Sequence, residues 1–247
     1  MQTRRKRSRR LPETEMSTRK QTARLTGILY IAMSLPAAIS LTYFPSRFLV
    51  PSDPAATAAK ITAAKDLYRL LVFADVLSGV LALCLAVTAY KLFKDVNRTY
   101  ARLVVLCLIV QASMQFAVVM TQLAPLVLLN GGKYWSAFTQ NQLEALVQGF
   151  LVLRGQGIGV LSIYWGLWLL PLGLLTYRSG FIPRIIGIFL LIAGSAYVLS
   201  ALSFLLLPAY YRTIFWAAAP IYGLGELSFI NYLIFKGVRS EQLEVAA

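Results

Sequence analysis

Few residues in this chain could do chemistry, and those few stand in unusual places. Asp75 and Glu226 each interrupt a long apolar run. Gln111 and Gln115 interrupt another, four residues apart and so on one face of a helix, with Gln122 further along the same stripe. Arg154 stands at the head of a fourth run, and Arg69 just ahead of Asp75. Carboxyl groups in such a setting could bind a cation, take or give a proton, or hold helices together. Amides and a guanidinium add hydrogen-bonding capacity around them. The chain has no histidine, which removes the commonest zinc ligand and the usual general base. Cys84 and Cys107 lie on different apolar runs with no metal-ligand spacing, and read as buried thiols acting as small hydrophobes. Gly223-Leu224-Gly225-Glu226 is no phosphate loop, since no strand precedes it. No cofactor is implied.

The elements that carry these residues are six apolar stretches, near 25–45, 69–90, 102–129, 157–177, 185–207 and 213–235. Each has about 20 residues or more, enough for a helix to cross about 30 Å of hydrocarbon. With 58% hydrophobic residues and a mean hydropathy of +0.65, the chain is too apolar for a soluble domain of its size. The reading is an all-α, six-helix transmembrane bundle, whose first partner is the lipid bilayer. The net charge of +14 does not point to nucleic acid, because the basic residues sit at the ends of the apolar runs. They gather in the N-terminal segment, in the loops at 91–102 and 178–184, and at the C-terminal end. By the positive-inside rule both termini are then cytoplasmic.

Residues 1–23 read as a basic, disordered cytoplasmic tail able to lie against anionic headgroups, residues 24–238 as the membrane domain, and 239–247 as a short cytoplasmic tail. Met16 is a second candidate start. Between the first two spans, Asp53 is placed to cap a short Ala-rich helix at 55–65. Residues 141–153 are amphipathic, and either lie at the interface or extend the fourth span outward. Pro208 is expected to end the fifth span and the sixth to run unbroken to Lys236.

Counting from Asp75 in steps of four and three gives Gly79, Ala82, Ala86 and Ala89, a stripe of small residues of the kind that lets helices approach closely in lipid. Asp75 should therefore face the bundle. Arg154 is its first expected partner and Arg69 the competitor. Glu226 shares a face with Gly223 and Tyr222. Tyr164, Trp165 and Trp168 read as core or lipid-facing aromatics and not as a substrate cage, because nothing cationic is implied. A short echo between Arg24-Leu25-Thr26-Gly27-Ile28 and Arg184-Ile185-Ile186-Gly187-Ile188 suggests that spans one–two and five–six are parallel repeats, with Asp75 and Glu226 as counterparts.

Several segments together resemble a bacterial family known as domain of unknown function 4386: RLTGILY at 24–30, PSDPAATAAKI at 51–61, Tyr68-Arg69-Leu70 through Asp75, VNRT at 96–99, YRSGFIPRIIG at 177–187 and GELS at 225–228. The resemblance implies a six-helix protein of the bacterial cytoplasmic membrane and brings no activity, cofactor or catalytic residue. It also implies a His near the start of the fourth span, where this chain has Leu153-Arg154-Gly155-Gln156-Gly157. Chemistry dependent on such a His is in doubt here.

Three functions compete. The polar residues Asp75, Gln111, Gln115, Arg154 and Glu226 line a site for a small hydrophobic or lipid-like ligand that is bound or transported. Alternatively a buried carboxyl serves a membrane-embedded enzyme, or the polar groups only hold helices together. The first is preferred, because the polar groups on three or four helices exceed what packing needs.

Overall fold

A computed structural model describes residues 13–238, with side chains from Met16 onward. The described chain is helical throughout: α1 (Glu13–Phe48), α2 (Pro54–Ala63), α3 (Lys65–Phe93), α4 (Arg98–Leu128), α5 (Gln140–Arg178), α6 (Arg184–Leu206), α7 (Pro208–Ala217) and α8 (Ala219–Asn231), the last ending in a widened turn at Tyr232–Lys236. Five of these helices are long and apolar enough to cross a membrane, and α7 with α8, bent by 45°, makes a sixth if the pair is one span.

The helices are amphipathic in the sense a bilayer demands. On α3 the stripe Asp75, Gly79, Ala82, Ala86 and Ala89 is buried, while Leu70, Phe73, Leu77, Val80 and Val87 are exposed, as a lipid-facing side should be. Gly79 is required by packing, because a Cβ there would lie 2.8 Å from the Phe116 ring of α4. The α5–α6 pair is closer still. A methyl group at Gly166 would sit 2.5 Å from the Gly194 carbonyl oxygen, and one at Gly187 would sit 2.9 Å from the Gly173 carbonyl oxygen.

Connections follow local chemistry. Asp53 caps α2 by accepting a hydrogen bond from the Ala56 N–H at 2.9 Å, as its position in the sequence requires. Asn97 caps α4 in the same way, through Tyr100. Gly131 and Gly132, with φ of +70° and +129°, end the α4 segment in backbone that residues with a Cβ avoid. Thr139 and Gln142 form a reciprocal capping box at the start of α5.

Two expectations need revision, and one open alternative is decided. The first helix starts at Glu13, well before Arg24, so part of the basic segment placed in a tail is helix; the remainder at 1–12, and the tail at 239–247, lie outside the described residues. Of the two readings for 141–153, the extension holds, for α5 runs unbroken from Gln140 through Gly155 and Gly157 to Arg178. The sixth span is not one helix. Pro208 begins a new helix as well as ending the old one, and Pro220, in the first turn of α8, brings no N–H to continue the ladder from α7. The first part of α1 and the turn that follows α8 meet at one end of the bundle, where Gly237 packs against Lys20 and Gly27 against Leu233 and Ile234.

Candidate functional site

The two interior carboxylates occupy different surroundings. Asp75 is 2% exposed and Arg154 4%. Arg154 Nη2 lies 3.5 Å from Asp75 Oδ2, so the first expected partner is the right one. Arg69 instead faces outward and pairs with Asp66 at 3.3 Å, one turn away on α3. Ser40 of α1 joins the buried pair: its hydroxyl donates to Asp75 Oδ2 at 2.5 Å and accepts from Arg154 Nη2 at 2.6 Å. Arg154 also donates to the Ser40 carbonyl at 3.3 Å, and its guanidinium lies 4.2 Å from the centre of the Phe44 ring. Phe44, Phe48 and Tyr68 pack together beside the pair, Phe48 and Tyr68 edge to face and Phe44 tilted against both, and the Tyr68 hydroxyl donates to the Gln122 backbone carbonyl at 2.7 Å. Three helices, α1, α3 and α5, are thereby tied through one ionic knot in an aromatic cage. A desolvated pair of this kind is held by geometry: removing either member leaves an uncompensated charge where water is scarce.

Glu226 on α8 has no such counter-ion. Among the described residues no Lys or Arg lies within ion-pair distance of it. Its carboxylate is held by two phenols, Tyr30 of α1 donating to Oε2 at 2.7 Å and Tyr197 of α6 donating to Oε1 at 2.8 Å. Around it lies a cavity of about 370 Å³ between α1, α3, α4, α5, α6 and α7–α8. Tyr197 and Tyr222 stack on one wall with centroids 3.7 Å apart, and Trp165 meets Tyr197 at 76°. Trp168, behind Tyr30 at 5.0 Å between centroids, lines the same space. Gly223 faces it, since a Cβ there would meet nothing within 4 Å. The lining includes exposed residues of α1 (Ala38, Thr42) and of α7–α8 (Trp216, Leu227), so the cavity opens between those two segments.

Of the five residues expected to form one site, Gln111, Gln115 and Glu226 line this cavity, whereas Asp75 and Arg154 lie outside its lining. Gln115 joins the two regions: it lines the cavity, and its Nε2 reaches Asp75 Oδ1 at 3.5 Å. Gln111 is 9% exposed, and its Oε1 has no hydrogen-bond partner. Gln122 is fully buried, its amide turned toward Asp75 without a hydrogen bond of full geometry. The reading of Trp165 and Trp168 as plain core or lipid-facing aromatics is incomplete, because both help to wall the cavity. Tyr30, Ser40 and Tyr197 were not anticipated. A tyrosine or serine within an apolar span is ordinary, and only the fold aims each hydroxyl at a carboxylate. Among the described residues no group of three His, Cys, Asp or Glu side chains could hold a metal ion.

These features define a multi-pass helical membrane protein with a buried Asp75–Arg154 pair and a separate aromatic cavity. The chain belongs to the family described as Domain of unknown function (DUF4386), whose model matches residues 25–237. No curated protein and no solved structure matches it.

Proposed function

We propose that the protein binds, or moves across the bilayer, a small or lipid-like ligand held in the cavity beside Glu226. One observation carries this reading: a cavity of about 370 Å³, within the size range of small-molecule sites (about 300–1,000 Å³), contains a carboxylate and two amides on an otherwise largely aromatic and aliphatic wall. In this reading Glu226, Gln111 and Gln115 meet the ligand. Asp75 and Arg154 act one step back, fixing α1, α3 and α5 and bracing Gln115. The closed state of that pair favours the structural alternative for this half of the molecule alone.

The reading carries an orientation. Both termini face the cytoplasm, a reading supported by the bias of Lys and Arg to the loops at 91–102 and 178–184 and by the meeting of α1 with Gly237 at one end of the bundle; the family resemblance supports the bacterial cytoplasmic membrane.

The test uses a photoreactive diazirine derivative of dodecanol on the full chain in nanodiscs. Labelling mapped by mass spectrometry should reach Glu226 and be lost in Gly223→Phe, which fills open space. Equal labelling of Glu226 in both proteins would refute ligand entry into the cavity.

A further inference from the structure

We propose that the ligand class is an amphipathic organic cation, an ammonium or similar head on an apolar body, drawn from the hydrocarbon through the gap between α1 and α7–α8. The inference deepens the ligand-binding reading and rests on it.

Charge is the first argument. A carboxylate inside a bilayer is costly without a partner, and Asp75 shows how this molecule supplies one, with Arg154 at 3.5 Å. Glu226 has two phenol hydrogen bonds and no cation. Each phenol uses one acceptor site on one oxygen, and a carboxylate offers about four, so acceptor capacity remains for a ligand. A cation seated beside the carboxylate would itself favour the charged form, by supplying the opposite charge that the fold does not.

The wall is the second argument. The negative faces of aromatic rings attract ammonium groups, most strongly where water is excluded. Tyr197 and Tyr222 stack beside Glu226, while Trp165 and Trp168 complete the aromatic side. On the other side stands Gln111, more than nine-tenths buried, with Oε1, the negative end of its amide dipole, unpartnered. No side chain on the wall is cationic, so nothing repels such a head.

The route is the third. The rim residues Trp216 and Leu227 are 47% and 51% exposed, and both belong to the bent sixth span. Exposed apolar side chains within a span border hydrocarbon once the protein is in a bilayer, so a ligand dissolved there would reach the opening with its apolar body outward.

Three ligands of one shape test the proposal: benzyltrimethylammonium, its uncharged carbon isostere neopentylbenzene, and the anion phenylmethanesulfonate. Binding to the full chain in nanodiscs is read from tryptophan fluorescence, for which Trp165, Trp168 and Trp216 are reporters on the cavity wall. The cation should bind about tenfold or more tighter than the isostere, as expected for a desolvated ion and ring contact, and the anion should not bind. In Glu226→Gln the preference should shrink to about twofold or less, while Glu226→Asp should retain part of it. The wild-type comparison needs no variant, so a folding defect in Glu226→Gln cannot hide the answer. Equal binding of cation and isostere would overturn the charge argument yet leave the ligand-binding reading intact, as would a cation preference that survives Glu226→Gln. Binding of none of the three would also overturn the inference. Dodecanol labelling at Glu226, lost in Gly223→Phe, would then still mark a ligand site, and its absence would show that the broader reading had failed as well.

Discussion

Asp75 and Glu226 are both acids inside apolar spans, yet the protein treats them oppositely. Asp75 is closed in, paired with Arg154, and shared with Ser40. Glu226 is held by neutral hydroxyls and borders an open cavity. A carboxylate neutralised from within has no electrostatic reason to recruit anything. One left without a counter-ion keeps its field for whatever enters. The difference also weakens the idea that the two acids are counterparts in a repeat: Gly27 packs on the turn that follows α8, whereas Gly187 packs on α5, so the matching Arg-x-x-Gly segments meet different neighbours.

The contrast can be broken most forcefully at the ion pair. Arg154→Met should destabilise the protein by about 3–5 kcal/mol, because Asp75 is left as a lone buried charge. Thermal unfolding in detergent micelles reads the loss. The double variant Asp75→Leu/Arg154→Met should recover most of it, whereas recovery of none would mean that Arg154 acts through packing on Phe44 and not through charge. Glu226→Gln should cost less, about 1–2 kcal/mol, since one phenol can still donate to the amide oxygen. A loss as large as that of Arg154→Met would erase the distinction between a structural and a ligand-facing acid. Tyr197→Phe removes one hydroxyl from Glu226 and should lower stability by about 1 kcal/mol, with the same midpoint measurement as readout. Smallest of all is Gln115→Leu. Its contact with Asp75 is long, at 3.5 Å, so stability should change by less than about 0.5 kcal/mol while dodecanol labelling at Glu226 drops.

Much of this was legible from the order of residues, because a bilayer imposes few solutions. Apolar length placed the spans, and the small-residue stripe after Asp75 showed which way that acid faces. The Asp75–Arg154 pairing followed from similar depth on the second and fourth spans. The start of α1 was not legible, since hydropathy is blind to a polar helix projecting from the membrane, and Glu13–Arg24 is such a segment. The break in the sixth span had a signal in Pro220, whose missing N–H matters only once α7 is known to precede it as a helix. The separation of Asp75 and Arg154 from the cavity could not be read, because a shared depth does not fix which space a side chain borders. Nor could the company of Glu226, which is brought from α1 and α6, far away along the chain.

The paired glycines of α5 and α6 have a mechanical consequence. Gly166 against Gly194 and Gly173 against Gly187 interlock two backbones at a seven-residue spacing, so neither helix can slide along the other without collision. That hairpin is the keel of the molecule. Any swelling around an occupant then falls to the other walls, among them the α7–α8 segment, which already bends by 45°.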